Sequence, residues 1–256
     1  MIFHRIFCFI NLTLAIMSFL SLADKLIPSG TLYGWAVVLD PGHGGIDPGS
    51  SVNLGGGKIV EDEYVYDVTL RAARLIRERD GLVFLTIKSK DPIREWGAQR
   101  IFPDDENENF TIDNTTVVAG TSGLTKRTHY GNRLNTKYPK HKRAWISVHF
   151  DVVGTRQDIS GVRIISPRVD LKLAKTMKQS FGENHRLRDE AALVASGDPT
   201  YGLRRLFVLE SNNNEIEQRV LIELGNFNNK DDRWRIRDPK VREAYALAIT
   251  RALEKY

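Results

Sequence analysis

The chain has 256 residues, 41% hydrophobic and 27% charged, with 37 basic against 32 acidic side chains and a formal net charge of +5. This composition is globular and long enough to bury one substantial core, which excludes a disordered or low-complexity chain. A single cysteine excludes a disulfide-stapled scaffold.

The N-terminus differs from the rest. Arg5 precedes an apolar stretch, residues 6–22, broken only by Asn11, Thr13 and serines, and Ser21 and Ala23 stand at the minus-three and minus-one positions of a cleavage site. Residues 1–23 therefore read as a secretory signal peptide cut before Asp24. An uncleaved anchor helix is the alternative, because the run is near the lower length limit for spanning, and only then would the chain be tied to a membrane. Either way residues 24–256 form one exported domain, in the periplasm or at the cell wall. Cys8 lies inside the apolar run, so the mature domain has no thiol, and His, Asp and Glu remain as zinc ligands. Cleavage removes Arg5 alone and leaves a charge of +4. That surplus suits an anionic envelope polymer or ordinary solubility; the scattered basic residues and the lack of a binding motif speak against nucleic acid.

In chain order, residues 36–39 are a short apolar run that predicts a buried strand, ended by a turn rich in Pro41, Gly42, Gly44 and Gly45 with His43 at its tip. Open α/β sheets bind ligands beyond the carboxyl ends of such strands. Residues 50–58 read as a flexible Gly-rich connection. From Glu61 onward Tyr64 or Val65, Val68, Ala72 and Leu75 recur at helical spacing, with Arg71, Arg74, Arg77, Glu78 and Arg79 on the wet side. Glu61 falls in the first turn, where the helix dipole favours a carboxylate. Residues 82–87 predict the next strand. Residues 88–123 show little periodicity and read as a cover or rim of the site, with disorder as the rival.

A helix is expected over 124–138, carrying Arg127 and Asn132, then a second buried strand over 145–151 that contains His149. Further strands are expected over 161–166, 201–210 and 220–225, and helices over 171–181 and from Asp238-Pro239 onward, the last with Val241, Ala244, Tyr245, Ala248 and Ala252 as its buried stripe. Glu223 stands between Ile222 and Leu224, an expensive place for a carboxylate unless it is used.

His43, Glu61 and His149, each at an element boundary, make a His, Glu, His zinc set that leaves one coordination position for water, the pattern of a catalytic site. Glu223 is the carboxylate to move a proton beside it. The plainer reading of each histidine is a satisfied structural residue. His129 and His141 read as surface residues, and His185 as a loop residue able to touch substrate. Asp40 and Asp151 could orient a ligating imidazole, though turn capping explains Asp40 equally well.

Asp40-Pro41-Gly42-His43-Gly44-Gly45 with Asp47-Pro48-Gly49, the Glu61 helix, Leu124 with Arg127 and Asn132, Ile146-Ser147-Val148-His149, and Ile222-Glu223-Leu224-Gly225-Asn226 with Asn229 resemble the successive motifs of the zinc-dependent N-acetylmuramoyl-L-alanine amidases, amidase type 3. The resemblance spans about residues 36–256. It implies an α/β fold with a twisted mixed β-sheet flanked by helices, of the phosphorylase/hydrolase-like kind. It also implies cleavage of the amide between the N-acetylmuramic acid lactyl group and L-alanine in peptidoglycan, with Zn2+ on His43, Glu61 and His149 and Glu223 as acid/base. Arg127 and Asn132 match the family's motif, and they read as braces of the sheet ahead of any contact with ligand or substrate. Glu61-Asp62-Glu63 departs from the usual Glu-Lys-Asp helix start and leaves Glu63 as a second ligand candidate. Residues 88–123 are longer than the usual connection, and 151–161 have no room for the blocking helix of some members, so any control of activity would lie in 88–123. An activating partner is left open. The rival functions are a zinc carboxypeptidase acting within the stem peptide and a catalytically silent wall-binding protein.

Overall fold

The computed structural model describes residues 30–54, 57–91, 94–184, 186–187, 191–197 and 205–256. The signal segment, His185 and the start of the expected 201–210 strand lie outside them. In chain order the elements are β1 (Trp35–Pro41), β2 (Ser51–Leu54), β3 (Gly57–Val60), α1 (Glu61–Arg77), β4 (Leu82–Leu85), β5 (Ile87–Ser89), β6 (Glu108–Phe110), α2 (Thr121–Lys137), β7 (Lys142–Asp151), β8 (Arg163–Ser166), α3 (Lys172–Gly182), β9 (Ala192–Ala195), β10 (Gln218–Asn226), α4 (Lys230–Arg237) and α5 (Pro239–Glu254). Six of the strands form one sheet in the order β4-β1-β7-β10-β8-β9. The first four are parallel; β8 runs antiparallel to β10, and β9 follows β8. This is the mixed sheet that the family resemblance implied.

Alternation along the strands divides the core in two. Val37, Leu39, Ile146, Val148, Val220 and Ile222 are all 0% exposed and share one apolar cluster with residues of α1, α3 and α5. Each such side chain contributes roughly 1.5–3 kcal/mol by leaving water. Val38, Trp145 and Leu221 point the other way, into a smaller cluster with Leu134 of α2 and Val208 and Leu209. His149 lies four residues past Trp145 and Glu223 two past Leu221, so both belong to this second face, at its carboxyl edge. Helix α5 opens as expected, with Asp238 accepting a 2.8 Å bond from Lys240 N and Pro239 in the first turn. Among the described residues no helix is long and apolar enough to cross a membrane.

Several local expectations are corrected. The stretch 50–58 is a hairpin, Ser51 facing Val60 and Leu54 facing Gly57; its glycines hide the inward residues Val52, Leu54 and Ile59 that fix its register. The apolar 206–209 run is a 3₁₀ turn at Phe207–Leu209, not a strand. Leu209 N bonds Leu206 O at 2.9 Å, and the side chains of Asn213 and Asn214 donate to the carbonyls of Phe207 and Val208 at 3.1 and 2.8 Å, so the backbone groups a strand would offer are used locally. The 82–87 strand breaks at Thr86, whose N–H turns to Leu39 O, and Ile87 begins a separate two-stranded sheet opposite Phe110. The 161–166 strand starts at Arg163, and β9 and α4 were not anticipated.

Arg71, expected on the wet face of α1, is 6% exposed. Its guanidinium bonds Asp67 at 2.7 Å, Glu243 at 2.9 Å and Gly97 O at 2.6 Å, while Arg242 reaches Asp67 at 2.7 Å and Gln99 O at 2.8 Å. The stretch after β5 thus folds back over α1 and α5, and Phe102 meets Tyr64 edge-on at 5.1 Å between ring centroids. Arg77 and Glu78 of the same face are exposed as expected, and Arg74 and Arg79 are partly so; Arg71 alone is dry, because a remote loop covers it.

Candidate metal centre

Strand β1 runs out at Pro41, and the chain beyond it turns on Gly44 and Gly45, at φ 144° and 60°. Gly42 N still pairs with Val148 O at 2.9 Å, which keeps the turn against β7. From outside, the stretch after β5 braces it: Gly45 N bonds Glu108 Oε2 at 3.0 Å and Ile46 N bonds Val117 O at 3.2 Å. His43 is thereby carried over the carboxyl end of β7, where His149 stands. The His149 ring packs against Gly42, where a Cβ would sit 2.0 Å from Cε1 and 2.1 Å from Nε2. Gly49, at φ 64°, is packed in the same way, its missing Cβ 2.6 Å from the His43 ring and 2.7 Å from Glu61 Oε2. The glycines are spaces that imidazoles fill.

Glu61, the first residue of α1, enters between the two rings. Its Oε1 accepts from Phe150 N at 2.9 Å and its Oε2 from Ser50 N at 2.8 Å, so the backbone fixes both oxygens. Oε1 is 3.1 Å from His149 Nδ1 and 3.4 Å from His43 Nε2. The two rings stand 5.1 Å apart at 87°, and one donor atom from each of the three residues lies within 4.8 Å of the others. Two imidazoles and a carboxylate converge with the His43 and His149 side chains 23% and 18% exposed, which leaves an open side. This donor set can hold a divalent ion of the zinc type and keep a position free for substrate or water.

The electrostatics follow from burial and crowding. Burial works to raise the Glu61 carboxyl, but His43 and His149 beside it prevail and hold it below the ordinary value. Burial works to lower His43, and the charges of Glu61 and Asp47 outweigh it and raise the imidazole. Glu223 pairs with His149 in the parallel register of β7 and β10. It is half-buried, with Oε2 enclosed and lacking a hydrogen-bond partner among the described residues. Burial, then the negative charges of Asp151 and Glu61, push its carboxyl well above the usual range, and Arg163 only partly opposes them.

Asp40 and Asp151 touch neither imidazole. Asp40, 1% exposed, accepts from Thr86 Oγ1 and Ser147 Oγ at 2.6 Å each and from Arg127 Nη1 at 2.7 Å, and so ties β1, β7 and α2 into one block. Arg127 also donates to Pro41 O and so holds the carbonyl just before the His43 turn. Asp151 pairs with Arg163 at 2.7 Å. The carboxylate beside an imidazole is Asp47, whose Oδ1 is 3.1 Å from His43 Nδ1; an i, i+4 spacing after His43 was the signal in the sequence. Asn132 is tied to the chain before β10, accepting from Glu215 N at 2.9 Å and donating to Asn213 O at 3.0 Å. Asn226 stitches down the loop after β7, donating to Arg156 O at 2.8 Å and Ile159 O at 2.9 Å.

Glu63, the second ligand candidate, faces away. Its Oε2 is 2.6 Å from Arg94 Nη2 and its Oε1 accepts from Asp105 N at 3.1 Å. Burial, against the pull of Arg94, raises it to about 7, and burial with the charge of Glu63 raises Asp62 to about 9.

The family model described as N-acetylmuramoyl-L-alanine amidase, amidase type 3, matches residues 37–255. One relative, the germination-specific N-acetylmuramoyl-L-alanine amidase of Bacillus subtilis (strain 168), is 24% identical over 227 residues, 88% of this chain and 81% of its own. Among solved structures, the N-acetylmuramoyl-L-alanine amidase AmiC2 of Nostoc punctiforme shares the fold with a TM-score of 0.60 at 21% identity, over 89% of this chain and 98% of that one. The CwlD amidase of Clostridioides difficile, solved in complex with the GerS lipoprotein, does so with a TM-score of 0.60 at 20% identity, over 86% and 97%. With a match that runs through every element of the sheet and all the residues of the centre, the chain belongs to the N-acetylmuramoyl-L-alanine amidase family.

Proposed function

We propose that this protein is an exported, zinc-dependent hydrolase that cuts the amide between the lactyl group of N-acetylmuramic acid and L-alanine of the peptidoglycan stem peptide. The observation that carries the reading is the meeting of His43, Glu61 and His149 at one point, with Glu223 beside His149 on the neighbouring strand.

His43, Glu61 and His149 would hold the ion, and when bound zinc supplies Lewis acidity toward an amide carbonyl and toward water. The chain does the rest. The backbone N–H groups of Ser50 and Phe150 hold the Glu61 oxygens in place, and Gly42 and Gly49 let both imidazoles lie against the backbone. Glu223 takes a proton from the attacking water and returns it to the nitrogen of the departing L-alanine; its raised proton affinity suits a group that must hold that proton between the two transfers. Arg163, opposite Glu223 on β8 and paired with Asp151, moderates the negative charge on that side.

Digestion of purified peptidoglycan tests the assignment. The expected products are free L-alanine amino termini and lactyl-ended glycan, lost on chelation and restored by zinc. Release of a C-terminal amino acid instead would place the cut within the stem peptide, and no product with zinc restored would favour a wall-binding protein.

A further inference from the structure

One residue along α1 from Glu61 stands a carboxylate that the site above does not use. Asp62 is 2% exposed, and neither of its oxygens has a hydrogen-bond partner in good geometry among the described residues. Folded proteins avoid a buried polar group of this kind unless something supplies the missing partner. Its neighbours are like-charged. One oxygen each of Asp62, Glu63 and Asp104 lies within 4.8 Å of the others, and Asp105 and Glu108 flank them. Among the described residues two cations face these five acids. Arg94 serves Glu63, Glu108 and, at 3.5 Å, Asp105, while Lys58 approaches Asp104 at 3.9 Å. Among the described residues no cation forms an ion pair with Asp62.

We propose that Asp62, Glu63 and Asp104 form a second cation site, separate from the imidazole centre, that takes calcium. The donors are all carboxylate oxygens, which suits a hard cation and leaves zinc to the histidines. Both Asp62 oxygens are free, so it can bind in bidentate fashion. Glu63 keeps one lone pair on each oxygen beyond its bonds to Arg94 and Asp105 N. Asp104, its side chain 32% exposed, opens the site to water, and calcium accepts the irregular mixture of carboxylates and waters that magnesium's strict octahedron rejects. Asp62 and Glu63 sit on the first turn of α1 and Asp104 on the stretch after β5, so the ion would clamp that stretch to the turn that begins with Glu61. The site goes beyond the hydrolase reading and does not depend on it.

The test uses the whole chain, zinc-loaded and freed of other divalent ions, with Ca2+ and Mg2+ as probes in calorimetric titration and thermal unfolding. Calcium is expected to bind once per chain and to raise Tm by roughly 5–10 °C at a hundredfold excess over Kd, magnesium by less. Asp62→Asn and Asp104→Asn should each weaken calcium binding at least tenfold with zinc content unchanged. Asp104 is partly exposed, so its variant keeps the test open if Asp62→Asn fails to fold. No calcium binding by the native chain, or binding unchanged in Asp104→Asn, would overturn the site. Neither readout depends on which bond the enzyme cuts.

Discussion

Replacing Gly42 with alanine puts a methyl carbon 2.0 Å from His149 Cε1, 2.1 Å from Nε2 and 2.4 Å from Nδ1. Gly42 does not hold a left-handed backbone, so the substitution strains no dihedral and acts through the ring, whose atoms are the three nearest to the new methyl. To regain ordinary contact near 3.4 Å the imidazole must retreat by about 1.4 Å, many times the ~0.2 Å that ligand distances tolerate. Disturbing the support of a ligating histidine typically weakens metal binding by about 10–100-fold, or about 1.4–2.7 kcal/mol, and a 1 Å misplacement of reacting groups lowers the rate about 100-fold. We therefore expect Gly42→Ala to lower zinc affinity by at least tenfold and kcat/KM on peptidoglycan by about two orders of magnitude. Competition with a chromogenic chelator reads the first and release of L-alanine amino termini the second, with circular dichroism confirming the fold. Gly182→Ala, where a Cβ meets nothing within 4 Å, is the control and should change neither. Zinc affinity within twofold of the native value in a folded Gly42→Ala protein would refute the packing of His149 described above.

Three further outcomes follow from the same geometry. Glu223→Gln should keep zinc and lower turnover by about two to four orders of magnitude, the range of a general acid/base; a loss below tenfold would remove it from that role. Glu61→Ala should lose zinc and Glu63→Ala retain it, because the second carboxylate is committed to Arg94; the reverse pattern in metal analysis would exchange their roles. Asp40→Asn should lower stability by about 3–5 kcal/mol at pH 7, since it leaves Arg127 buried without its counter-ion. Burial raises the Asp40 carboxyl but Arg127, Ser147 and Thr86 prevail, so its folded pKa lies below the unfolded 3.8. Its contribution is therefore present above about pH 4 and is lost as the pH falls through the lower folded value, and the gap between native and Asp40→Asn proteins in urea unfolding should close there. A gap that persists into acid would show the effect is one of packing.

The parallel strands β1, β7 and β10 were legible because buried strands read as unbroken apolar runs, and α3 and α5 because their apolar stripes keep helical spacing. Elements that depend on distant partners were not. The β2–β3 hairpin is written in glycines that resemble a linker, the Leu206-to-Leu209 run lost its strand character to Asn213 and Asn214, and Arg71 is dry only because Gly97 and Glu243 come to it from elsewhere in the chain. The order of motifs was enough to name the family, because five spaced motifs constrain one another more than any single histidine constrains itself.

What the sequence by itself determined is the chemistry on offer: histidines at positions 43 and 149, acids at 61 and 223, and no cysteine outside the first two dozen residues. Only the tertiary structure decided which acids serve which groups. Glu61 and Glu63 differ by two positions on one helical turn, a rotation of roughly 200°, so one meets the imidazoles while the other meets Arg94. The part anticipated for Asp40 beside an imidazole falls to Asp47, since the turn between them reverses the chain and hands the side of His43 to the later residue.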